Sequence, residues 1–362
     1  MQAVILVGGE GTRLRPLTYV TPKPMVPIFG VPFLERTLER LKAAGITEVI
    51  LAAGYLPAQI TDHLGDGSKL GLKVTYVIEE SPLGTAGALK NVQAHITGPF
   101  FVLNGDVLTS LDLRAMADRH REAGGVATLH LIRAEDPSAF GCVVHDAAGR
   151  VSAFVEKPPR ELAPTNEVNA GTYLLDPSVL DAIPAGRAVS IERETFPQLI
   201  DSGRGLFAFT TGDYWLDIGR PEYYLRAHAD ILEGKLQLQP ALYGAEHGLL
   251  YGPGEPRPGI LGPSFVGSRS ELAEGSLVGP LVVLGEGCKV ATRARVSESV
   301  VWDEVSIGEG ASVAGSILAS RVKVGARAVI EQGSVIGHDV EIPPDSVVQA
   351  GSRVGGAEFA PT

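Results

Sequence analysis

The residues whose types and spacing carry the most chemistry lie near the N-terminus: Gly8-Gly9-Glu10-Gly11-Thr12-Arg13-Leu14-Arg15-Pro16-Leu17-Thr18, followed by Pro22-Lys23-Pro24. Glycines at positions 8, 9 and 11 leave backbone amides unobstructed, Thr12 adds a hydroxyl, and Arg13 supplies a fixed cation. These are the parts of a phosphate cradle. Lys23, held between two prolines of fixed φ, puts a second cation on a stiffened segment. The stretch is not a P-loop, because GxxxxGK[ST] is missing. It is not a dinucleotide fingerprint either, because Leu14 stands where the third glycine after Gly9 and Gly11 belongs. Glycines after a strand are often only a tight turn, but a turn by itself requires neither Arg13 nor Lys23.

A cradle of this kind needs a rigid element to deliver it. The run Ala3–Val7 reads as a buried strand, and four more apolar runs follow at Val49–Ala52, Val74–Ile78, Phe100–Leu103 and Ala127–Leu131. Amphipathic segments separate them. Between the first two runs, Leu34, Leu38 and Leu41 share one helical face and Gly45 suits a left-handed C-cap, which makes a βαβ unit. Another helix is predicted from Pro221 to about Gly234. The alternation predicts an α/β domain with a mostly parallel, Rossmann-like sheet over residues 1–235. Asp106 then follows the strand Phe100–Leu103, at the carboxyl end where such sheets bind ligands.

Residues 236–259 interleave Pro240, Pro253, Pro256 and Pro258 with glycines and read as a linker. From Val266 the period changes. Aliphatic residues recur every six positions at Val266, Leu272, Val278, Leu284, Val290 and Val296, then after a five-residue step at Val301, Ile307 and Val313. After a second short step they resume at Leu318, Val324, Ile330, Ile336, Ile342 and Val348. This is the hexapeptide repeat of a parallel β-helix, expected over residues 260–355, with each aliphatic residue pointing into the prism. Such helices also host acyltransferases, but His338, Lys289 and Lys323 form no clear catalytic constellation. A structural and oligomerising role is expected, with flat faces suited to a homo-oligomer.

The net charge of -11 argues against nucleic acid and anionic membranes as partners, while the first 25 residues are locally basic and suit a small anion. Cys142 and Cys288 are too far apart for a zinc site and fit two reduced thiols. The eight histidines show no ligand spacing. No apolar run approaches a membrane span and the N-terminus lacks a signal peptide's basic region, so a cytoplasmic protein is expected.

Further strings complete a recognisable order: Pro82-Leu83-Gly84-Thr85-Ala86-Gly87-Ala88-Leu89, Asn104-Gly105-Asp106, Phe154-Val155-Glu156-Lys157-Pro158, Asn169-Ala170-Gly171 and Trp215-Leu216-Asp217-Ile218-Gly219. With the N-terminal segment they resemble the sugar-nucleotide pyrophosphorylases, over the whole first domain and into the repeat. Within that family the strings LGTAGAL, VNAGTYLL, SIERETFP and WLDIGRP are most similar to the mannose-1-phosphate guanylyltransferases that end in a left-handed β-helix.

The resemblance implies a magnesium-dependent, reversible reaction in which a sugar 1-phosphate attacks the α-phosphorus of a nucleoside triphosphate and pyrophosphate leaves, with GTP and mannose 1-phosphate as substrates. Asp106 and Asp217 offer the hard oxygen donors that magnesium prefers. Taken singly, Asp106 is equally well a turn residue and Asp217 a surface carboxylate. Arg13 is expected on the departing pyrophosphate and Lys23 on the α-phosphate, with Asp106 completing the catalytic set. The nucleotide side comprises Leu6, Gly8, Gly9, Gly11, Thr12, Arg13, Leu83, Gly84, Thr85 and Gly105. On the sugar-phosphate side stand Gly141, Glu156, Lys157, Asn169 and Gly171, and only the resemblance lifts Glu156 and Lys157 above an ordinary exposed charge pair. Thymidylyl, uridylyl or adenylyl transfer to glucose 1-phosphate is the alternative chemistry. A non-catalytic, sugar-nucleotide-binding regulatory subunit is the alternative of another class, and the presence of Arg13, Lys23, Asp106, Lys157 and Asp217 speaks against it.

Overall fold

The computed structural model describes residues 1–54, 57–237, 248–252, 254 and 258–355. The chain forms two compact units, one of Met1–Gly9 and Leu34–Trp215, the other of Glu10–Phe33 and the chain from Leu216 onward. The glycine-rich segment is therefore divided. Gly8 and Gly9 follow the first strand of one unit, whereas Gly11, Arg13 and Lys23 belong to the other, which also contains the repeat.

The first unit is built on a nine-stranded sheet. All five apolar runs are strands in it: Gln2–Val7, Glu48–Ala53, Lys73–Ile78, Phe100–Asn104 and Ala127–Arg133. Gln2–Val7 is central and parallel to both Glu48–Ala53 and Phe100–Asn104, and Lys73–Ile78 continues the parallel half. The rest of the sheet is mixed. Glu167–Leu175 runs antiparallel to Phe100–Asn104, to Ala127–Arg133 and, at Val168, to Gly141–His145, which pairs antiparallel with Val151–Glu156. Nine residues of strand with three neighbours make Glu167–Leu175 the hinge between the halves. The helix predicted after the first strand spans Phe33–Ala43, with Leu34, Leu38 and Leu41 buried and Gly45 left-handed at φ +89°. Each of those leucines contributes roughly 1.5–3 kcal/mol by leaving water.

In the second unit the six-residue period appears as three parallel sheets. One stacks Val266, Leu284, Val301, Leu318, Ile336 and Val354 in register. The second stacks Leu272, Val290, Ile307, Val324 and Ile342. The third stacks Val278, Val296, Val313, Ile330 and Val348. These residues share one apolar core, and the two five-residue steps fall at corners, so the phase inside the prism is kept. The linker expected at 236–259 lies largely outside the described residues. Within it, Gly248–Tyr251 is a strand antiparallel to Ser264–Gly267. The helix predicted at Pro221 runs to Leu232.

Both cysteines are free and buried. Among the described residues no helix is long and apolar enough to cross a membrane.

Two buried histidines have an energetic consequence. His130 is fully buried, its Nε2 lies 2.8 Å from Thr211 Oγ1, and burial together with the Arg40 charge pushes its pKa down to about 4. Burial, helped by Arg321, lowers His338 to about 4 as well. A folded-state pKa below the unfolded value near 6.5 means that the unfolded chain binds protons first as pH falls. Stability is then lost between about pH 6.5 and pH 4. In urea unfolding, the stability advantage of the wild type over His130→Gln is expected to shrink by roughly 2 kcal/mol from pH 7 to pH 5. A pH-independent difference would contradict it.

Candidate active site

In the first unit the site is built around the carboxyl end of the central strand. Gly105 N donates to Leu6 O at 3.1 Å, and a Cβ on Gly105 would lie 2.6 Å from that oxygen. The close approach brings Asp106, half-buried, beside the end of Gln2–Val7. Gly8 and Gly9 follow on the surface, and a Cβ added to Gly9 would meet nothing within 4 Å. Glu79 lies below Gly8, its Oε1 3.8 Å from where a Gly8 Cβ would sit. It accepts a hydrogen bond from Leu83 N at 3.1 Å, and burial raises its carboxyl above the ordinary range. The helix Gly84–Asn91 starts here. The Thr85 hydroxyl donates to Glu192 Oε2 at 2.9 Å and accepts from Ile191 N at 2.8 Å. Thr85 is thereby fixed to the protein through its side chain, and Leu83 and Gly84 present backbone.

The residues assigned to the sugar phosphate also gather in this unit. Gly141 and Glu156 are register partners, and a Cβ on Gly141 would lie 2.8 Å from Glu156 Oε2. Lys157 Nζ stands 3.5 Å from Glu156 Oε1, with the lysine side chain 57% exposed. Lys157 is also held at φ +49°, in the left-handed region that non-glycine residues adopt uncommonly. Its amide donates to Phe140 O at 3.0 Å. Asn169 Nδ2 donates to Tyr173 Oη at 2.7 Å, and Asn169 Oδ1 accepts from Gly171 N at 3.0 Å. Gly171 sits at φ +73°, and a Cβ there would lie 2.6 Å from Asn104 Nδ2. Asn169-Ala170-Gly171 and Asn104-Gly105-Asp106 are thus packed together.

Two contributors were not evident from sequence. Trp215 Nε1 donates to Ala170 O at 2.8 Å, and its ring meets Phe140 edge-on at 5.3 Å, so it props the segment that carries Asn169. Glu192 accepts from Thr85 and from Ser190 Oγ and lies close enough to Tyr173 to help burial raise that phenol. It links the Leu83–Thr85 corner to the Asn169 corner. The SIERETFP string contained it, but nothing local marks one acid as bonded to a residue 107 positions away.

In the second unit, Arg13, Lys23 and Asp217 converge on Gly219. A Cβ there would lie 2.7 Å from Asp217 Oδ1, 2.8 Å from Arg13 Nη2 and 2.8 Å from Lys23 Nζ. Gly219 N donates to Asp217 Oδ1 at 2.7 Å, and Arg13 Nη2 is 4.0 Å from Asp217 Oδ2. Gly11, left-handed at φ +64°, turns the chain so that Thr12–Leu14 forms a single 3-10 turn with Thr12 and Arg13 exposed. Thr18 Oγ1 bonds back to Gly11 O at 2.8 Å. Arg15 is engaged otherwise, pairing with Glu10 at 2.9 Å.

Asp106 belongs to the first unit and Asp217 to the second. Among the described residues no three His, Cys, Asp or Glu side chains cluster as a protein-made metal cage. Each carboxylate by itself is a hard oxygen donor of the kind that magnesium accepts alongside phosphate oxygens and water.

The contrast between two glycines can be tested. Gly9→Ala is expected to leave thermal stability unchanged and to raise the KM for the triphosphate about tenfold, the equivalent of about 1.4 kcal/mol. Gly171→Ala is expected to destabilise the fold by about 1–3 kcal/mol through its φ and its clash with Asn104. Thermal melts and steady-state kinetics on both variants read this out, and equal melting losses would contradict it.

Residues 2–234 match the family described as nucleotidyl transferase, and residues 260–354 match the GMPPB C-terminal domain. The chain is 42% identical to mannose-1-phosphate guanylyltransferase of Mycobacterium tuberculosis, over 86% of this chain and 82% of that protein. It is 39% identical to mannose-1-phosphate guanylyltransferase 1 of Arabidopsis thaliana, over 94% of this chain and 92% of that protein. Among solved structures, HddC from Yersinia pseudotuberculosis complexed with GMP-PN aligns with a TM-score of 0.54 at 33% identity, over 62% of this chain and 97% of that one. With the strand-end glycines, the paired cations and the hexapeptide prism in place, the chain belongs to the nucleotidyl transferase family, in the branch that carries a C-terminal β-helix.

Proposed function

We propose that the protein transfers a guanylyl group from GTP to mannose 1-phosphate, forming GDP-mannose and releasing pyrophosphate. The observation that carries the phosphate chemistry is the convergence of Arg13 and Lys23, each within 2.8 Å of one point beside Asp217. Two cationic side chains grouped in this way can give a polyphosphate several charge-assisted hydrogen bonds at once. The choice of base and sugar rests on relatives along nearly the whole chain that are named mannose-1-phosphate guanylyltransferases.

In this reading a phosphate oxygen of mannose 1-phosphate forms a bond to the α-phosphorus of GTP as the bond from that phosphorus to the β-phosphate oxygen breaks. The nucleophile is already an anion at neutral pH, so no general base is needed. The task left to the protein is to align two anions and stabilise charge. Arg13 meets the pyrophosphate and Lys23 the α-phosphate, with the amides of Gly8, Gly9 and Gly11 and the Thr12 hydroxyl around them. Leu6, Gly105 and the backbone of Leu83-Gly84-Thr85 border the nucleoside. Lys157 binds the sugar phosphate, while Glu156 and Asn169 take sugar hydroxyls beside Gly141 and Gly171. Asp106 and Asp217 are the proposed ligands of Mg2+, which when bound neutralises charge on the reacting phosphates.

The cytoplasm is the proposed compartment. Self-association is proposed for the β-helix, where Val329 and Val347 lie exposed on adjacent strands.

Pyrophosphate release from GTP, dTTP, UTP and ATP, each paired with mannose 1-phosphate and glucose 1-phosphate, tests the reading. GTP with mannose 1-phosphate is expected to give the highest kcat/KM, and a preference for dTTP with glucose 1-phosphate would overturn it. Nucleotide binding without turnover in any pairing would point to a regulatory subunit. Asp106→Asn should lower kcat by about a hundredfold or more at saturating magnesium with an unchanged circular dichroism spectrum, and wild-type turnover would remove Asp106 from the metal site.

A further inference from the structure

One wall of the β-helix differs from the other two. By strand alternation the residue preceding each core aliphatic faces outward. On two walls these positions include Lys289, Ser306, Lys323 and Glu341, and Arg295, Ser312, Val329 and Val347, which are half-exposed or exposed. On the third wall they are Phe265, Val283, Val300, Ile317 and Val335, each no more than 3% exposed. The cover comes from the same unit. Phe29 packs edge-on against Phe265 at 5.3 Å and stacks on His228 at 5.4 Å. Trp302 Nε1 donates to Tyr224 Oη at 3.0 Å, and Tyr224 Oη donates in turn to Pro27 O. Pro16 closes over Gly337, where a Cβ would lie 3.2 Å from Pro16 Cβ. Segment 10–33, which carries Arg13 and Lys23, thus lies on the wall together with helix Pro221–Leu232.

A direct polar fastening of that segment to the coil beneath is a hydrogen bond between Thr21 Oγ1 and His338 Nε2, 3.1 Å long. His338 is 5% exposed, its ring meets Trp302 edge-on at 5.2 Å, and its Nδ1 has no partner among the described residues. Thr21 stands two residues before Lys23. Pro22 joins them with φ fixed, and the 3-10 turn Lys23–Met25 begins directly after it. A displacement of Thr21 therefore reaches Lys23 through a connection with little freedom.

We propose that His338, on the β-helix, is a positioning residue for nucleotidyl transfer: through Thr21 it holds Lys23 in place, so that the hexapeptide domain is a working part of the active site. This inference rests on the reading of Lys23 as a substrate-phosphate cation. A bond that fixes a cation for the transition state acts on turnover more than on ground-state binding.

The test uses full-length variants with GTP and mannose 1-phosphate, followed by pyrophosphate release and thermal melting. Thr21→Val removes the hydroxyl at nearly constant shape. His338→Leu fills the site without the bond, and His338→Gln places an amide near the Nε2 position. Thr21→Val and His338→Leu are each expected to lower kcat about tenfold with KM changed less than about twofold, and the double variant should be no worse than the poorer single. His338→Gln should recover most of the turnover. Wild-type kcat in Thr21→Val, or losses that multiply in the double variant, would overturn the proposal. If His338→Leu fails to fold, Thr21→Val and His338→Gln still decide it. Lys23→Met, measured in parallel, separates the two levels: full activity there sinks the reading of the site itself, whereas inactivity there with normal Thr21→Val sinks only the role of His338.

Discussion

A parallel β-helix presents three flat walls to water, and in this protein one of them is apolar. Phe265, Val283, Val300, Ile317 and Val335 cannot face solvent without cost, and burying them at roughly 25 cal/mol per Å2 favours laying another part of the chain over them. The chain used is segment 10–33, together with helix Pro221–Leu232. Because that segment also carries Arg13 and Lys23, the desolvation of one prism wall and the placement of these two cations are the same event. A repeat domain that looks inert by its lack of catalytic side chains becomes the foundation on which a charged loop is held.

The same logic of close approach recurs in the first unit. Glycines stand where another backbone or a polar atom comes within reach of a Cβ, as at Gly105 against Leu6 and at Gly171 against Asn104. Gly9 is different from these two, with no protein atom within 4 Å of where a Cβ would sit, an openness it shares with helix-end glycines such as Gly45 and Gly124. Lys157 also stands at positive φ, a backbone conformation that most of the other non-glycine residues sharing it adopt at the corners of the prism. Behind these residues, Glu192 and Trp215 tie corners of the site together through bonds to Thr85 and Ala170.

What the amino-acid sequence determined by itself was whatever is written in local order. The six-residue period placed the recurring aliphatics from Val266 to Val348 inside the prism, because a strand and corner repeat along the chain. The five apolar runs, the helix face of Leu34, Leu38 and Leu41, and the glycine-rich segment were legible for the same reason. The mixed direction of the sheet was not, since the turn of Glu167–Leu175 against three neighbours depends on pairing between distant segments. Nor was the division of the glycine-rich segment between two units at Gly9.

Tertiary structure alone decided which charges meet. Arg13, Lys23 and Asp217 converge on Gly219 although Asp217 lies some two hundred residues from the other two. Arg15, next but one to Arg13, turns instead to Glu10. Thr21 and His338 are 317 positions apart and share one hydrogen bond. Side-chain type and spacing specify what a residue is able to do. Its partner is set by the burial of apolar surface across the whole chain, which sums contributions from residues too far apart for any local pattern to register.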